Sequence, residues 1–154
     1  MWKQILDNSS IERFMNEMDF FHDSCIKEMW YISGAYVNEN RGMHAINSAR
    51  SLRIIIQRQS KEYPVIELEF QKLKFLRLLP NDENYTCEIL DSTLLMSDGY
   101  IYWMDWGGLA ASDIESYTGT IICAETLSWR SIDRHLGAEF YYLGKNESTC
   151  TKTP

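Results

Sequence analysis

Basic side chains are missing from the middle of this chain. Between Arg77 and Arg130 there are 52 consecutive residues without Lys or Arg, here called the acidic segment. It contains Asp82, Glu83, Glu88, Asp91, Asp98, Asp105, Asp113, Glu115 and Glu125. The whole chain of 154 residues has a formal net charge of -7. Because a nucleic-acid backbone is itself polyanionic, we expect no nucleic-acid partner and predict a basic protein partner instead.

Long apolar runs are also missing. No window approaches the roughly 18 apolar residues that a membrane-spanning helix needs, and the first residues lack the pattern of a secretory signal. We therefore expect a soluble, cytoplasmic protein without a membrane partner. The four cysteines are widely spaced and form no Cys-x-x-Cys pair, which favours reduced thiols over a closed zinc site. The composition predicts one domain over residues 1–146, followed by a polar tail over residues 147–154.

The sequence signatures of common enzymes do not occur either. There is no P-loop, no Gly-x-Gly-x-x-Gly, no Gly-x-Ser-x-Gly and no His-Glu-x-x-His. His22, His44 and His135 have no recognised metal-ligand spacing between them. We therefore predict no metal, no cofactor and no catalytic residue. The oligomeric state is left open by the sequence.

The tripeptide His22-Asp23-Ser24 resembles a catalytic combination but sits where the first long strand is predicted to begin. Neighbouring side chains of a strand point to opposite faces, so a regular strand would prevent Asp23 from orienting His22. We therefore expect His22 or Asp23 to hold the helix-to-strand junction through hydrogen bonds to the backbone.

Hydrophobic periodicity predicts one early helix. Ser9 followed by Glu12 has the spacing of a capping box, and apolar residues then recur at helical intervals, which predicts a helix over 10–18 that lies on a sheet.

Strand patterns fill most of the remaining chain. A first strand is predicted over 20–36, then a loop over 37–48 and a strand over 52–58. Residues 65–71 alternate between apolar and polar side chains, which predicts a strand with one solvated face. The alternation slips near Lys72, which indicates a bulge or a strand break. Residues 118–129 are predicted as a strand, with a helix over 124–136 as the alternative.

Asp98-Gly99 gives the clearest local signal. This dipeptide suits a type I' turn and lies between two apolar runs, so it predicts a two-residue hairpin. In that register Leu94 faces Trp103 on one side, and Leu95 faces Tyr102 on the other. With the other elements, the hairpin predicts an α+β fold with a mostly antiparallel sheet, either bent or partly closed into a barrel.

The acidic segment interleaves carboxylates with aromatic residues around this hairpin. Aromatic side chains supply contact area at protein interfaces, whereas charges set the encounter rate and the register. The sequence therefore predicts a partner-binding surface formed by Asp91, Tyr100, Tyr102, Asp105 and Trp106. A solvated acidic edge that only blocks strand pairing is the alternative interpretation.

A second hypothesis comes from a different functional class. An aromatic-lined cavity inside a barrel would suit a small-molecule ligand or substrate. Its walls would be Trp30, Trp103 and Tyr141, with His22 at its mouth.

The opening of the chain also carries a resemblance. A short amphipathic helix followed by Phe21-His22-Asp23-Ser24-Cys25-Ile26 resembles the start of several families of small uncharacterised bacterial domains, some of which are similar to immunity proteins of toxin systems. The resemblance implies a small cytoplasmic domain without enzymatic activity. For an immunity-type protein it further implies tight binding to a toxin, often a basic one.

Overall fold

The structure, a computed structural model, describes residues 1–143. Its main helix, α1, spans Asn8–Glu17. The strands are β1 (Lys3–Ile5), β2 (Ser24–Ile32), β3 (Tyr36–Val37), β4 (Met43–His44), β5 (Ser51–Arg58), β6 (Val65–Arg77), β7 (Thr93–Ser97), β8 (Tyr100–Met104) and β9 (Ile121–Ser131). The predicted tail and the last three residues of the predicted domain lie outside the described residues.

One bent antiparallel sheet organises the fold. Its strand order is β2-β5-β6-β9-β8-β7, and β1 pairs with the second half of β9. The sheet bends until the segment that enters β7 reaches the outer edge of β2, where Ile89 and Ser24 form an isolated bridge. Within residues 1–143 the sheet does not close into a barrel. The predicted α+β class is thus confirmed, and the bent sheet is the alternative that is observed.

Helix α1 begins earlier than predicted because Asp7, and not Ser9, is its N-cap. The Asp7 carboxylate accepts a hydrogen bond from the Ser10 backbone N–H at 2.7 Å, and the Ser10 hydroxyl accepts one from the Asp7 N–H at 2.9 Å. Phe14 then packs on the sheet, 5.2 Å from the Trp129 ring. No helix in the described part of the chain is long and apolar enough to span a bilayer.

The main core lies between α1 and one face of the sheet, here called the helix face. The two central strands supply the alternating apolar side chains that the sequence predicted, and all of them are buried: Leu52, Ile54, Ile56, Ile66, Leu68 and Phe70. Each such side chain contributes about 1.5–3 kcal/mol by leaving water.

The opposite face of β6 is not solvated, which corrects the prediction. Glu67 and Glu69 are only 0% and 8% exposed. Residues near the described C-terminus cover this face, and the Tyr142 hydroxyl donates to Glu67 Oε1 at 3.1 Å. Arg130 Nε donates to Glu67 Oε2 at 2.7 Å, and Arg53 Nη2 lies 2.7 Å from Glu69 Oε1. The two carboxylates can be buried because each is paired with an arginine. The alternation of residues along one strand gives no information about such partners.

The first long strand was predicted too long at both ends. It begins only at Ser24, because Phe20, Phe21 and Asp23 have positive φ values of 50°, 64° and 53°. The chain turns after Ile32, and part of the predicted loop over 37–48 pairs as the small hairpin β3–β4. The short strand β1 was not predicted.

The later strand predictions are confirmed. Strand β6 continues past Lys72 with a register shift between Leu73 and Phe75, as the slip in alternation indicated. Asp98 and Gly99 have positive φ values of 51° and 79°, and the strands that they join pair in the predicted register. Most of the strand predicted over 118–129 is observed as β9, so the alternative helix over 124–136 is wrong.

Candidate binding surface

Part of the acidic segment gathers where the β7–β8 hairpin opens, opposite its turn. Three carboxylates and two large apolar side chains line a hollow of about 260 Å³ there: Glu88, Leu90, Asp91, Asp105 and Trp106. These five residues are called the open-end surface. Glu88, Leu90 and Asp91 lie on the segment before β7, whereas Asp105 and Trp106 follow β8 directly. The hairpin register brings Asp91 near Asp105 and Trp106, and the bend that forms the Ser24–Ile89 bridge adds Glu88 and Leu90.

Trp106 is the most prominent side chain of the open-end surface. It is 66% exposed, and Leu90 beside the same hollow is 62% exposed. Exposing an indole to water forfeits the free energy that its burial would give, and Trp is the residue type most enriched at binding hot spots. Trp106 therefore has the properties of an interface anchor.

Asp105 positions this end of the hairpin. Its Oδ1 accepts a hydrogen bond from the Tyr117 hydroxyl and another from the backbone N–H of Thr120, the latter at 3.0 Å. Burial and the Asp105 carboxylate together raise the pKa of Tyr117, so the phenol stays protonated and keeps donating. Asp105 thus fixes the loop between β8 and β9 and places Trp106 next to it.

Asp91 lies against the backbone of the same turn. Its Oδ1 accepts from the Ser92 N–H at 2.8 Å. A Cβ on Gly107 would sit 1.9 Å from Asp91 Oδ2, so the two segments approach this closely only because residue 107 is glycine. Asp91 itself is exposed and contributes negative charge to the open-end surface.

A larger cleft adjoins Trp106. It has a volume of about 630 Å³, and its lining combines apolar side chains with Asp105 and Glu88: among them are Ile26, Met29, Leu78, Leu79, Ile89 and Trp106. Lys27 also lines the cleft, but its Nζ donates to the Ala138 carbonyl at 2.8 Å. Glu28 is a third carboxylate of the lining, and its oxygens accept from the Tyr141 and Tyr142 N–H groups. The cleft therefore combines three carboxylates with an apolar wall at one opening.

The two tyrosines of the predicted surface lie elsewhere. Tyr100 and Tyr102 are near the hairpin turn, where Lys74 Nζ sits 5.0 Å from the Tyr100 ring centroid and the Phe75 ring lies 6.4 Å from that of Tyr102. Both tyrosines are half-buried. The structure thus divides the five predicted residues into two groups, with Asp91, Asp105 and Trp106 at the open end.

The tripeptide His22-Asp23-Ser24 differs from the expectation. His22 Nδ1 lies 3.0 Å from Asp23 Oδ1, because these residues precede β2 and the alternation of a strand does not apply to them. The Ser24 hydroxyl is buried and donates to the Phe21 carbonyl. Other donors also hold the junction: the Gln59 N–H donates to the Asp23 carbonyl at 2.9 Å, and Arg58 Nη2 donates to the Met18 carbonyl at 2.8 Å.

The aromatic residues of the second hypothesis do not meet in one cavity. Trp103 is 1% exposed in the main core on the helix face. Tyr141 packs with Ile55 in a separate cluster on the opposite face, and Trp30 lies there too, 5.3 Å from the Tyr142 ring. The residues proposed for this cavity are therefore separated by the sheet.

Among residues 1–143, no group of three or more His, Cys, Asp or Glu side chains is arranged to hold a metal ion. His44 stacks on Tyr36 at 4.4 Å, whereas His135 contacts Tyr141 at 4.5 Å. These two histidines therefore make different aromatic contacts.

Sequence reasoning missed Glu88 and Leu90. Both belong to the acidic segment, but they precede the hairpin strands, and only the tertiary bend brings them beside Trp106. The sequence signal that pointed towards them was the lack of basic residues, which extends across this segment.

Sequence reasoning also missed a group of exposed apolar residues along the end of β2 and the β3–β4 hairpin. Its members are between 38% and 79% exposed: Trp30, Tyr31, Ile32, Tyr36, Val37, Met43 and Ile46. They are called the apolar arm. The first strand was predicted to extend to Tyr36, whereas β2 ends at Ile32. The prediction therefore did not show that the residues after Ile32 leave the main sheet.

Comparison with protein-family models, curated proteins and solved structures finds no match.

Proposed function

We propose that this chain is a non-enzymatic binding module that holds a basic protein partner at the open-end surface. The observation that carries the proposal is the 66% exposed Trp106 beside Glu88, Asp91 and Asp105. At protein interfaces, aromatic anchors supply much of the binding energy, whereas charged residues increase the association rate. Trp106 and the surrounding carboxylates have this arrangement. The acidic segment has no Lys or Arg over 52 residues, so the charged side chains of the open-end surface are all negative.

An immunity-type role is the specific form of this proposal. The resemblance of the first residues to immunity-like bacterial domains suggests a cytoplasmic module whose partner is a basic toxin. Long-range attraction between opposite charges accelerates such an encounter, and it weakens as salt screens the charges.

Affinity capture with matched variants tests the proposal. The tagged wild type, Trp106→Ala and Tyr36→Ala are used to capture proteins from the native lysate at low and moderate salt. Tyr36 is a suitable control because it is 58% exposed, close to Trp106, but lies on the apolar arm. We expect one stoichiometric basic protein on the wild type and on Tyr36→Ala, with much less on Trp106→Ala. Equal recovery by all three proteins would exclude the open-end surface as its binding site.

A second candidate function is small-molecule binding in the adjoining cleft. Its volume of about 630 Å³ falls within the range of about 300–1,000 Å³ typical of ligand sites. A thermal-shift screen of wild type against Leu79→Arg, which places a charge on the apolar wall, tests this alternative. A ligand that stabilises the wild type but not the variant supports it, and equal stabilisation of both would place that ligand elsewhere.

A further inference from the structure

Two thiols line one pocket at the junction between β2 and the segment before β7. Cys25 is the second residue of β2 and is half-buried, whereas Cys87 is exposed on the facing segment. Both line a cavity of about 460 Å³. The two side chains therefore open onto the same space, although they are 62 positions apart in the sequence.

The backbone next to these cysteines sets their spacing. The Ile89 N–H donates to the Ser24 carbonyl at 2.7 Å, and the two residues form an antiparallel bridge. Cys25 follows Ser24, and Cys87 lies two residues before Ile89, so they are one residue out of register. In a regular antiparallel pair, Cα atoms offset in this way are about 6 Å apart, but their side chains point to opposite faces. Residues 86–88 lie outside the strands, so this alternation does not apply at Cys87, and both cysteines line the same cavity. Disulfides usually join Cα atoms about 4.4–6.8 Å apart.

The electrostatic environment agrees with this proximity. Burial raises the pKa of the Cys25 thiol, and the negative charge of a Cys87 thiolate raises it further. Cys87 is the exposed member of the pair, so an oxidant in solution meets it first.

We propose that Cys25 and Cys87 form a thiol modification site, which a small-molecule disulfide such as glutathione disulfide converts to an intramolecular disulfide. The Cys87 thiolate attacks one sulfur of glutathione disulfide, which forms a mixed disulfide and releases one glutathione thiolate. The Cys25 thiolate then attacks Cys87 Sγ, forms the protein disulfide and releases the second glutathione. Two thiol protons leave, and the two electrons lost by the protein reduce one glutathione disulfide to two glutathiones.

This disulfide would fasten the segment before β7 to the edge of β2. Among the described residues, the isolated Ser24–Ile89 bridge is the backbone pairing that joins these two stretches. A covalent link beside that bridge restricts local opening of the segment. The chemistry does not depend on the proposed partner, so the two proposals can fail separately.

Thiol mapping of the full chain tests the proposal. Wild type, Cys25→Ser and Cys123→Ser are incubated with glutathione and glutathione disulfide in varied ratio, alkylated, and analysed by intact mass and peptide mapping. We expect the wild type to lose two thiols together and to yield a peptide pair linked through Cys25 and Cys87. Cys25→Ser should keep glutathione on Cys87. Cys123 is buried, so Cys123→Ser should form the same linked pair as the wild type.

Hydrogen exchange gives a second readout that does not require any variant to fold. In the oxidised wild type, amides near residues 86–90 should exchange more slowly than in the reduced protein. The proposal is overturned if glutathione stays on Cys87 while Cys25 remains reduced, or if Cys87 links to another cysteine instead.

Discussion

The two ends of the β7–β8 hairpin both carry aromatic residues, but these residues differ in how far they are exposed to solvent. At the turn end, Tyr100 and Tyr102 lie beside Lys74 and Phe75 from β6 and are half-buried. At the open end, Trp106 is 66% exposed beside a hollow. Aromatic residues of the turn end therefore contribute to the fold, whereas the indole of the open end remains available to a partner.

The difference arises from β6 and not from the hairpin itself. The bulged strand β6 continues to Arg77 and so carries Lys74 and Phe75 to the turn end. The open end lies beside loops, and its nearby guanidinium, that of Arg77, donates to the Tyr117 and Gly119 carbonyls. Trp106 thus stays exposed where the hairpin borders loops, and the proposed binding surface lies at that end.

The largest expected effect is on stability, from Asp105→Ala. This change removes the acceptor of the Tyr117 hydroxyl and of the Thr120 N–H, and Thr120 is 2% exposed. Leaving such donors unpaired should lower the free energy of unfolding by about 2–3 kcal/mol, measured by urea denaturation. Asp91→Ala, which loses a bond to the neighbouring Ser92 N–H, should cost less than about 1 kcal/mol. Equal losses would remove the structural distinction between the two carboxylates.

The next effect is on binding, from Trp106→Ala. Loss of a hot-spot aromatic should weaken binding of the captured partner by at least about 2 kcal/mol, or about 30-fold. Because the side chain is exposed, the free energy of unfolding should change by less than about 0.5 kcal/mol. Calorimetric titration and urea denaturation measure the two quantities separately. A large loss of stability with unchanged affinity would show that Trp106 stabilises the fold and does not bind the partner.

Both ends of the hairpin should become less stable in alkali. Burial, with a hydrogen bond to Cys123, raises the pKa of Tyr102 from 10 to about 12, and burial with Asp105 raises that of Tyr117. The stability from these neutral phenols is complete below the unfolded value near 10 and is lost as pH rises through the folded values. Urea denaturation between pH 9 and 12 should show a steeper decline for wild type than for Tyr117→Phe. Tyr85→Phe, at an exposed position, should follow the wild type.

A smaller effect is expected from removing charge at the open end. The double variant Glu88→Gln with Asp91→Asn should slow association several-fold at low salt and flatten the salt dependence, with little change in dissociation. Stopped-flow association at two salt concentrations measures this. Asp98→Asn, at the hairpin turn, is the control for charge at the other end. If it slows association as much as the double variant, then net charge and not the open-end surface controls the encounter.

The smallest effect is expected from Tyr102→Phe. The variant keeps the ring against Phe75 and loses the hydroxyl that contacts Cys123, so partner affinity should stay within about twofold of wild type. The same calorimetric titration measures it. A tenfold loss would extend the binding surface back to the turn end, as the sequence predicted.

Local patterns made much of the fold predictable. Asp98-Gly99 specified the hairpin register, and the alternation over 65–71 specified which side of β6 faces the core. Burial of Glu67 was not predictable, because its partners Arg130 and Tyr142 are 63 and 75 residues away in the sequence. The start of β2 was misplaced since the positive φ of Phe20 and Phe21 opposes their usual strand preference.

The candidate site was also predictable only where local sequence patterns determine it. Charge counting along the chain located the acidic segment, and the hairpin register connected Asp91 with the residues after β8. Which aromatics stay exposed depends on the path of β6, and the approach of Glu88 depends on the bend that forms the Ser24–Ile89 bridge. Neither feature is encoded in a local pattern.

Hydrogen exchange of the protein with and without its captured basic partner would show whether the partner docks at the open-end surface. We expect binding to slow exchange at residues 88–92 and 105–109, around the open-end surface, and to leave the apolar arm unchanged. Protection confined to residues 30–46, with none near Trp106, would contradict it and would place the partner on the apolar arm.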